Sequence, residues 1–449
     1  MRSRWSVIAL LLALLATLLA PALPASAQRP GLSVAFWRTW ARADRPVAEG
    51  RAARTWMWGP APITHVLVEE YDEATDFEGD VLGVRMVQYF DKTRMELTDI
   101  GADPVNPWYV TNGLLAKELI TGQVQLGHNR FARAPAARVP VAGDLDDPNA
   151  PTYASFQPLM GYQPLPVGMT IIQTVDRNGT VGADQALARY GVTAAVLVPE
   201  TNHAVASVFW DFMNARGTVF SDGAFREDRL FENPFYATGF PLTEAYWTTV
   251  RVGGVPKRVL VQVFERRVLT YTPDNPPGWR VEAGNVGLHY YQWRYGQLGE
   301  QPVTWDTARP EELPYYDAMI PTVYPLAAGL QPLAALLQNP AFDSPGWRAD
   351  VERRLIFLQD CARAMREATP PPTLSAFHSE LMVGLELVER GAGRIRRALE
   401  TRDPVLLWQG LDDIAAGLQV FAAALERYAD QLRAGAESAP VVSVAEGGH

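Results

Sequence analysis

The stretch Val87-Gln88-Tyr89-Phe90-Asp91-Lys92 decides the fold, because its pattern recurs as Val261-Gln262-Val263-Phe264-Glu265-Arg266. We call these stretches the first motif (residues 87–92) and the second motif (residues 261–266). Both are rich in the branched and aromatic residues that favour β-strands. We expect Phe90 and Phe264 to pack in the core, with Gln88 and Gln262 facing the other way.

The same landmarks surround both motifs in the same order. A Phe-Trp pair and a Pro-x-Thr turn precede each motif, and a tryptophan followed five residues later by glycine comes after it. In the first segment these are Phe36-Trp37, Pro62-Ile63-Thr64, Trp108 and Gly113; in the second they are Phe209-Trp210, Pro241-Leu242-Thr243, Trp279 and Gly284. Ordered landmarks of this kind predict a tandem duplication.

The second segment has the pattern of a β-hairpin with helices at its ends. Residues 205–216 have helical aromatic spacing, and Gly217 is expected to end that helix. Gly253-Gly254 separates two strand-like runs, and residues 285–295 carry an apolar helical stripe. We therefore predict an α+β class for both repeats, at residues 28–123 and 207–300.

The rest of the chain divides into a connector and a helical region. Residues 124–206 are rich in Pro and Gly, which predicts short strands, and Asn178-Gly179 suits a hairpin turn. Residues 310–435 show four amphipathic series, which predict an all-α four-helix bundle. Helix caps are expected at Ser344, Thr373 and Asp403, and Leu381, Leu418 and Phe421 are expected in the bundle core. Residues 436–449 read as a disordered tail.

The N-terminus predicts export. Arg2 and Arg4 precede an apolar run over residues 7–20, and Ala25-Ser26-Ala27 forms a small-x-small cleavage site, so residues 1–27 read as a signal peptide. The competing interpretation is a signal anchor, but the run is shorter than the roughly 20 residues that a spanning helix needs. We predict a secreted, extracytoplasmic protein that is soluble or held at the cell surface, with no transmembrane segment after cleavage.

Charge and cysteine content exclude several classes of protein. The 449 residues carry a formal net charge of -10, which argues against a nucleic-acid partner. Cys361 is the only cysteine, so neither an intramolecular disulfide nor a cysteine zinc cluster can form.

Local catalytic motifs are missing from the sequence. It contains no Gly-x-Ser-x-Gly, no His-Glu-x-x-His and no Gly-x-x-x-x-Gly-Lys. Glu200 and His203 could share a proton or a metal, but their place before a predicted helix favours capping by Thr201 or Asn202. We assign no catalytic residue, no metal site and no cofactor.

Aromatic residues are the positive functional signal. Ten of the thirteen tryptophans lie between Trp37 and Trp305. Flat rings with polar edges suit sugar stacking, and the candidate binding residues are Trp56, Trp58, Trp247 and Tyr290. The alternative is that these rings fill the cores of small β-rich units.

The second segment resembles a known repeat at Gly239-Phe240-Pro241-Leu242-Thr243-Glu244 and at the second motif. These residues look like the LGFP repeats of secreted bacterial cell-envelope proteins, and the resemblance covers roughly residues 36–296. It implies attachment to the cell wall. The first segment departs from the pattern, with Trp58-Gly59-Pro60-Ala61 before its Pro-x-Thr turn.

Two functions follow as hypotheses. The first is a non-catalytic cell-envelope protein whose duplicated module binds a cell-wall or surface polysaccharide, with an unspecified partner for the bundle. The second is an extracytoplasmic hydrolase of glycan or peptide whose carboxylates come from distant segments. A third interpretation, a ligand or cofactor pocket inside the bundle, has only His378 as an inward metal ligand.

Export predicts a processed protein. Mass spectrometry of the protein recovered from its native host should find an N-terminus at or near Gln28, since cleavage follows Ala27. A stable, membrane-retained form that still begins at Met1 would contradict the signal peptide.

Overall fold

The computed structural model describes residues 34–75, 79, 81–300 and 311–437. The predicted signal peptide and nearly all of the predicted tail lie outside the described residues. The first half contains helices and short strands in alternation: a helix at Val34–Ala48, strands at Leu67–Glu70, Val84–Phe90, Thr93–Leu97 and Thr111–Asn112, a helix at Leu115–Thr121, strands at Gln123–Gln125 and Phe131–Arg133, and a short helix at Tyr153–Phe156.

The middle of the chain is richer in strands. Strands run at Gln173–Val175, Val181–Ala183, Ala194–Val198 and His203–Ala206, a helix follows at Ser207–Met213, and further strands lie at Arg216–Ser221, Ala224–Arg229, Tyr246–Val252, Val255–Val263, Val268–Tyr271 and Val281–Ala283. Helix Val286–Tyr291 continues into a π-helical turn at Gln292–Gln297. A 3₁₀ turn precedes the last strand at Pro277–Trp279.

Of the strands in the described residues, ten belong to two larger sheets and six form three two-stranded sheets. The first larger sheet is a four-stranded antiparallel meander from Leu67 to Asn112, and the second has six strands. The hairpin predicted at Asn178-Gly179 forms between Gln173–Val175 and Val181–Ala183, with Gly179 at φ 78°. It joins the second sheet through a parallel contact between Thr174 and Trp247. Part of the connector is therefore built into the sheet of the second motif.

The two motifs sit in matching backbone settings. Pro62 bridges to Phe90 and Pro241 bridges to Phe264. The residue after each proline donates its backbone N–H into the motif strand, Ile63 to the Tyr89 carbonyl and Leu242 to the Val263 carbonyl, both at 2.8 Å. Each Pro-x-Thr turn therefore pairs with its motif in the same register.

The glutamines of the motifs are buried and hold the turns. Gln88 Nε2 donates to the Thr64 carbonyl at 3.1 Å, and Gln262 Nε2 donates to the Thr243 carbonyl at 3.0 Å. The expectation that the glutamines face away from the core is wrong: both are fully buried, as are the phenylalanines. Residues two apart in a strand share one face, so each glutamine lies on the phenylalanine side of its strand.

A helix from each segment contacts the motif turn of the other. The N–H groups of Gly287 and Leu288 donate to the Asp91 carbonyl at 3.0 and 3.1 Å, and the Lys117 N–H donates to the Glu265 carbonyl at 3.0 Å. One apolar cluster includes side chains from both segments, among them Tyr89, Leu119, Val263 and Tyr290. The two segments therefore share a core.

A balanced ionic network lies beside this shared core. Glu69 contacts Arg94 at 3.1 Å and Arg294 at 3.0 Å, and it accepts from the Tyr89 hydroxyl at 2.6 Å. Burial raises the pKa of Glu69, but Arg94, Arg294 and Arg85 outweigh that effect and lower it to about 2. Three acids, Glu69, Glu96 and Glu118, face three arginines, Arg85, Arg94 and Arg294.

Two local predictions are wrong. The helix predicted over residues 205–216 is shorter, because residues up to Ala206 belong to a strand and the helix ends at Met213. Gly217 does not end it: it pairs with Asp228 in a two-stranded hairpin of Arg216–Ser221 and Ala224–Arg229. Thr373 does not cap a helix either, because its hydroxyl donates to Glu312 at 2.6 Å and the next helix begins at Ser375.

The C-terminal region is helical, as predicted. Long helices span Leu313–Gln338, Pro345–Glu367, Ser375–Thr401 and Pro404–Glu437. Ser344 and Asp403 cap helix starts: Ser344 Oγ accepts from the Trp347 N–H, and Asp403 Oδ1 accepts from the Val405 N–H at 2.8 Å. Leu381 and Phe421 are buried, whereas Leu418 is only half-buried. No helix in the described ranges is long and apolar enough to cross a membrane.

The last two helices approach closely through glycines. Gly384 faces Gly417, and Gly391 faces Gly410, in an antiparallel arrangement. A β-carbon at Gly391 would lie only 2.4 Å from the Gly410 carbonyl oxygen. Glycine is therefore required here by the packing of two backbones.

Replacing Gly391 by alanine should force these helices apart. We expect Gly391→Ala to lower the free energy of unfolding by about 1 to 3 kcal/mol, as overpacking does. Gly393 lies in the same helix with nothing within 4 Å of its β-carbon position. Gly393→Ala is the matched control and should leave stability unchanged or raise it by up to about 1 kcal/mol, since alanine favours helix. Equal effects of the two changes in denaturant unfolding would contradict the close packing.

Candidate functional site

A cleft of about 640 Å³ opens beside the first helix. Its walls come from six separate parts of the chain: the helix Val34–Ala48, the residue Trp58, the loop 104–110, the hairpin of Arg216–Ser221 and Ala224–Arg229, the segment 230–236 and the helix Pro345–Glu367. The C-terminal helical region thus supplies one wall. Its position is fixed by Arg354, whose Nη1 and Nη2 donate to the Asp103 carboxylate at 2.8 and 2.7 Å.

Aromatic rings form much of the cleft. Trp108 is 43% exposed, and its ring centroid lies 5.2 Å from that of Tyr236. Tyr236 is fixed by its hydroxyl, which donates to the Val110 carbonyl at 2.6 Å. Behind it Trp58 packs edge-on against both Tyr236 and Phe231. The cleft thus has a rigid aromatic wall with one exposed indole, which suits stacking on a flat ligand.

Charged side chains complete the lining without giving it a net formal charge. Four arginines (Arg38, Arg42, Arg226 and Arg353) face four acids (Asp222, Asp228, Glu232 and Asp360). Arg42 contacts Asp228 at 3.3 Å and Arg226 contacts Asp222 at 3.1 Å. Such paired groups can still exchange hydrogen bonds with hydroxyls of a neutral ligand.

Asp360 differs from the other acids of the cleft. Burial raises its pKa, and the nearby arginines Arg38 and Arg363 only partly oppose the increase. Its Oδ1 accepts from Arg363 Nη2 at 3.0 Å. Of the acids lining the cleft, Asp228 has the opposite shift: its pKa is lowered by the Arg229 backbone N–H and by Arg42, against the effect of burial.

Asp44 positions the Trp58 backbone from below. Its carboxylate accepts from the N–H groups of Met57, Trp58 and Gly59 at 2.8, 2.7 and 3.1 Å. Asp44 is fully buried. Burial raises its pKa to about 6, although the three N–H groups act to lower it.

Most of the aromatic residues singled out from the sequence are buried. Trp58 is 1% exposed, and Trp247 and Tyr290 are fully buried. The Trp247 indole nitrogen donates to the Ile171 carbonyl at 2.9 Å, and the Tyr290 hydroxyl donates to Glu118. Trp56 is half-buried. A binding surface made of these four rings does not form; the alternative, that such rings fill β-rich cores, describes Trp58, Trp247 and Tyr290.

The landmark residues divide into two groups. Gln88, Phe90, Gln262 and Phe264 are fully buried, whereas Trp108 and Trp279 are exposed by 43% and 40%. Trp108 lines the cleft, and Trp279 lies outside it. The sequence named both tryptophans as repeat landmarks and not as binding residues.

The predicted capping of a helix by Thr201 or Asn202 is wrong, because the helix begins at Ser207 and these residues lie in a turn. Glu200 and His203 are placed by the same turn. They flank this turn between the strands Ala194–Val198 and His203–Ala206, with Asn202 at φ 56°. His203 is buried, and its Nδ1 lies 3.1 Å from Glu244 Oε1 while Glu200 is exposed. Within the described residues no group of three or more His, Cys, Asp or Glu side chains could hold a metal ion.

Sequence reasoning missed the cleft because its walls are distant in the chain. The only local signal was the charged run Arg226 to Arg229, which the structure shows to be one strand of a hairpin. Comparison with protein-family models, with curated proteins and with solved structures found no match to this chain.

The buried Asp44 predicts a pH dependence of stability. Its pKa is about 6 in the folded protein against 3.8 for an ordinary aspartate, so the folded state holds this proton more tightly. The contribution of Asp44 to the free energy of unfolding should therefore fall as pH rises from about 4 to about 6. Asp44→Asn removes this contribution, so that over this pH interval the free energy of unfolding of the variant should fall less, or rise more, than that of wild type in denaturant unfolding. Exposed Asp211 gives the control Asp211→Asn, which should keep the wild-type profile; parallel profiles for Asp44→Asn and wild type would contradict the assignment.

Proposed function

We propose that this chain is a secreted, non-catalytic cell-envelope protein that binds a neutral surface glycan in the cleft beside Trp108. The observation that carries the proposal is the exposed indole of Trp108 held against Tyr236 in a cleft without net formal charge. Sugar rings present flat apolar faces and many hydroxyls. An aromatic wall together with paired polar groups complements both features.

The duplication predicted from the sequence is part of this proposal. It is supported by the matching settings of the two motifs: the same Pro-to-Phe bridge and the same contact of glutamine with a threonine carbonyl. Further support comes from Lys92 and Arg266, whose N–H groups donate to the Trp58 and Thr238 carbonyls at 3.2 and 2.9 Å.

The helices after residue 312 are proposed to form a four-helix bundle whose outer face completes the cleft. The support is one apolar cluster that contains side chains of all four helices, including Leu326, Leu358, Leu385 and Phe421. Attachment to the cell wall, implied by the resemblance to LGFP repeats, specifies where the glycan would be found.

A hydrolase remains the second candidate, and Asp360 is the observation that favours it. A buried carboxyl group with a raised pKa can act as a general acid. Two other acids of the cleft, Asp222 and Asp228, are held by arginines. We favour binding because these ion pairs occupy two of the carboxylates that a second catalytic role would need, and the remaining acid of the cleft, Glu232, is exposed.

Removing the exposed indole tests the proposal. The probe is purified cell envelope from the native host, and retention of the mature protein is measured by co-sedimentation. Trp108→Ala should weaken retention tenfold or more, as loss of a central aromatic anchor does. Trp408 is 45% exposed on the last helix and supplies the control Trp408→Ala, which should bind as wild type does.

Salt dependence and turnover separate the alternatives. Retention should persist at 1 M salt, where the Debye length is only about 3 Å, because the cleft offers no net charge for an electrostatic contact. No retention of the wild-type protein at any salt would reject glycan binding. Release of soluble sugar from the envelope, abolished by Asp360→Asn, would replace the binding function by hydrolysis.

A further inference from the structure

Trp279 has the features of a ligand-binding ring outside the cleft. It is 40% exposed, and no hydrogen bond of its indole N–H is found within the described residues. The buried indoles of Trp40 and Trp247 differ, because the nitrogen of each donates to a backbone carbonyl at 2.9 Å. Of the tryptophans in the two repeat segments, Trp108 and Trp279 are the ones that expose a large part of the ring.

Trp279 stands where Trp108 stands in the other repeat. Each tryptophan is followed by a glycine five residues later, and that glycine donates its N–H to the strand that comes after the motif. Gly113 donates to the Arg94 carbonyl at 2.9 Å, and Gly284 donates to the Val268 carbonyl at 2.8 Å. The two indoles therefore occupy equivalent places relative to the motifs, with nearly the same exposure.

The segment that carries Trp56 packs against the turn that carries Trp279. The Thr55 N–H donates to the Gly278 carbonyl at 3.0 Å. Trp56 is the next residue after Thr55, and Trp279 is the next residue after Gly278. The Trp58 carbonyl accepts from the N–H of Lys92 at the end of the first motif, and the Thr238 carbonyl accepts from the N–H of Arg266 at the end of the second, so these two carbonyls are equivalent. Trp56 lies two residues before the first of them, and Tyr236 lies two residues before the second. Trp56 thus corresponds to Tyr236.

The approach of these segments is close enough to require glycine. A β-carbon at Gly278 would lie 2.3 Å from the Ala53 carbonyl oxygen. Direct backbone packing therefore holds the Pro277–Trp279 turn against residues 53–55. The exposed indole is presented on a fixed turn, which lowers the entropic cost of binding.

We propose that Trp279 is a second sugar-stacking site, with half-buried Trp56 on the segment packed against its turn, so that one chain holds a repeating glycan at two points. This inference rests on the proposed glycan binding of the Trp108 cleft. Binding at two points on one polymer makes the second contact intramolecular and raises overall retention by about 10²-fold or more without any new kind of interaction. The occupant is a sugar ring of the same polymer, since both sites offer an exposed indole face.

The test compares single and double variants on purified cell envelope by co-sedimentation. Trp279→Ala should lower the apparent affinity by tenfold or more, and Trp108→Ala with Trp279→Ala together should reduce retention to background. Trp279→Phe keeps a flat ring and should restore most of the binding, which a structural defect would not explain. Trp408→Ala again serves as the exposed-tryptophan control.

The possible outcomes separate this inference from the function on which it rests. If Trp108→Ala abolishes retention while Trp279→Ala binds as wild type does, the second site is rejected and the cleft remains. If Trp279→Phe binds no better than Trp279→Ala, stacking at this position is rejected. If wild-type protein is not retained, glycan binding fails and the second site fails with it. Near-ultraviolet circular dichroism of each variant checks that the fold is kept.

Discussion

The exchange of helix contacts between the two motif turns is the constraint on which the rest of the structure depends. Residues at a helix start have N–H groups without intrahelical partners, and a turn between strands leaves a carbonyl without a ladder partner. Gly287 and Leu288 satisfy the Asp91 carbonyl, and Lys117 satisfies the Glu265 carbonyl. Because each helix serves the other segment, neither segment can complete its backbone hydrogen bonding alone. The shared apolar core and the stacking of Tyr290 on Tyr89 of the first sheet follow from this exchange.

The ionic network determines which partner each segment can accept. Burying three acids and three arginines carries a large desolvation cost that good geometry only offsets, so the network adds little to stability by itself. Its contacts are specific, however. Arg294 and Tyr295 come from the π-helical turn after Val286–Tyr291, and both contact Glu69 in the other segment, at 3.0 and 2.9 Å. A misplaced helix would leave Glu69 buried without them, which would be strongly unfavourable.

Local features were predictable from the sequence, and contacts across the chain were not. Gly253-Gly254 marked a hairpin, and Ser344 and Asp403 marked helix starts, since each depends on a few adjacent residues. The prediction that Gly217 ends a helix was wrong, because a glycine can also pair within a strand, as Gly217 does. Trp247 was chosen as an exposed binding residue but is buried, and its indole N–H donates to the Ile171 carbonyl. The sequence around a tryptophan does not distinguish an indole N–H bonded to water from one bonded to a backbone carbonyl. Ring exposure depends on what packs above the ring, and no local pattern encodes that.

The helical region is part of the proposed binding site and not an independent appendage. Arg353 and Asp360 line the cleft from the helix Pro345–Glu367, two residues before Leu355 and three residues after Phe357 of the apolar core. Arg354, between them, fixes this helix to Asp103 at the start of the loop that carries Trp108. Arg38 crosses the same boundary and lies over the Phe357 ring at 4.9 Å. A shift of this helix would therefore move the polar wall of the cleft and the Trp108 loop together. The aromatic wall, anchored through Tyr236 and Asp44, belongs to the β-rich part, so the width of the proposed glycan cleft is set by how the two parts dock.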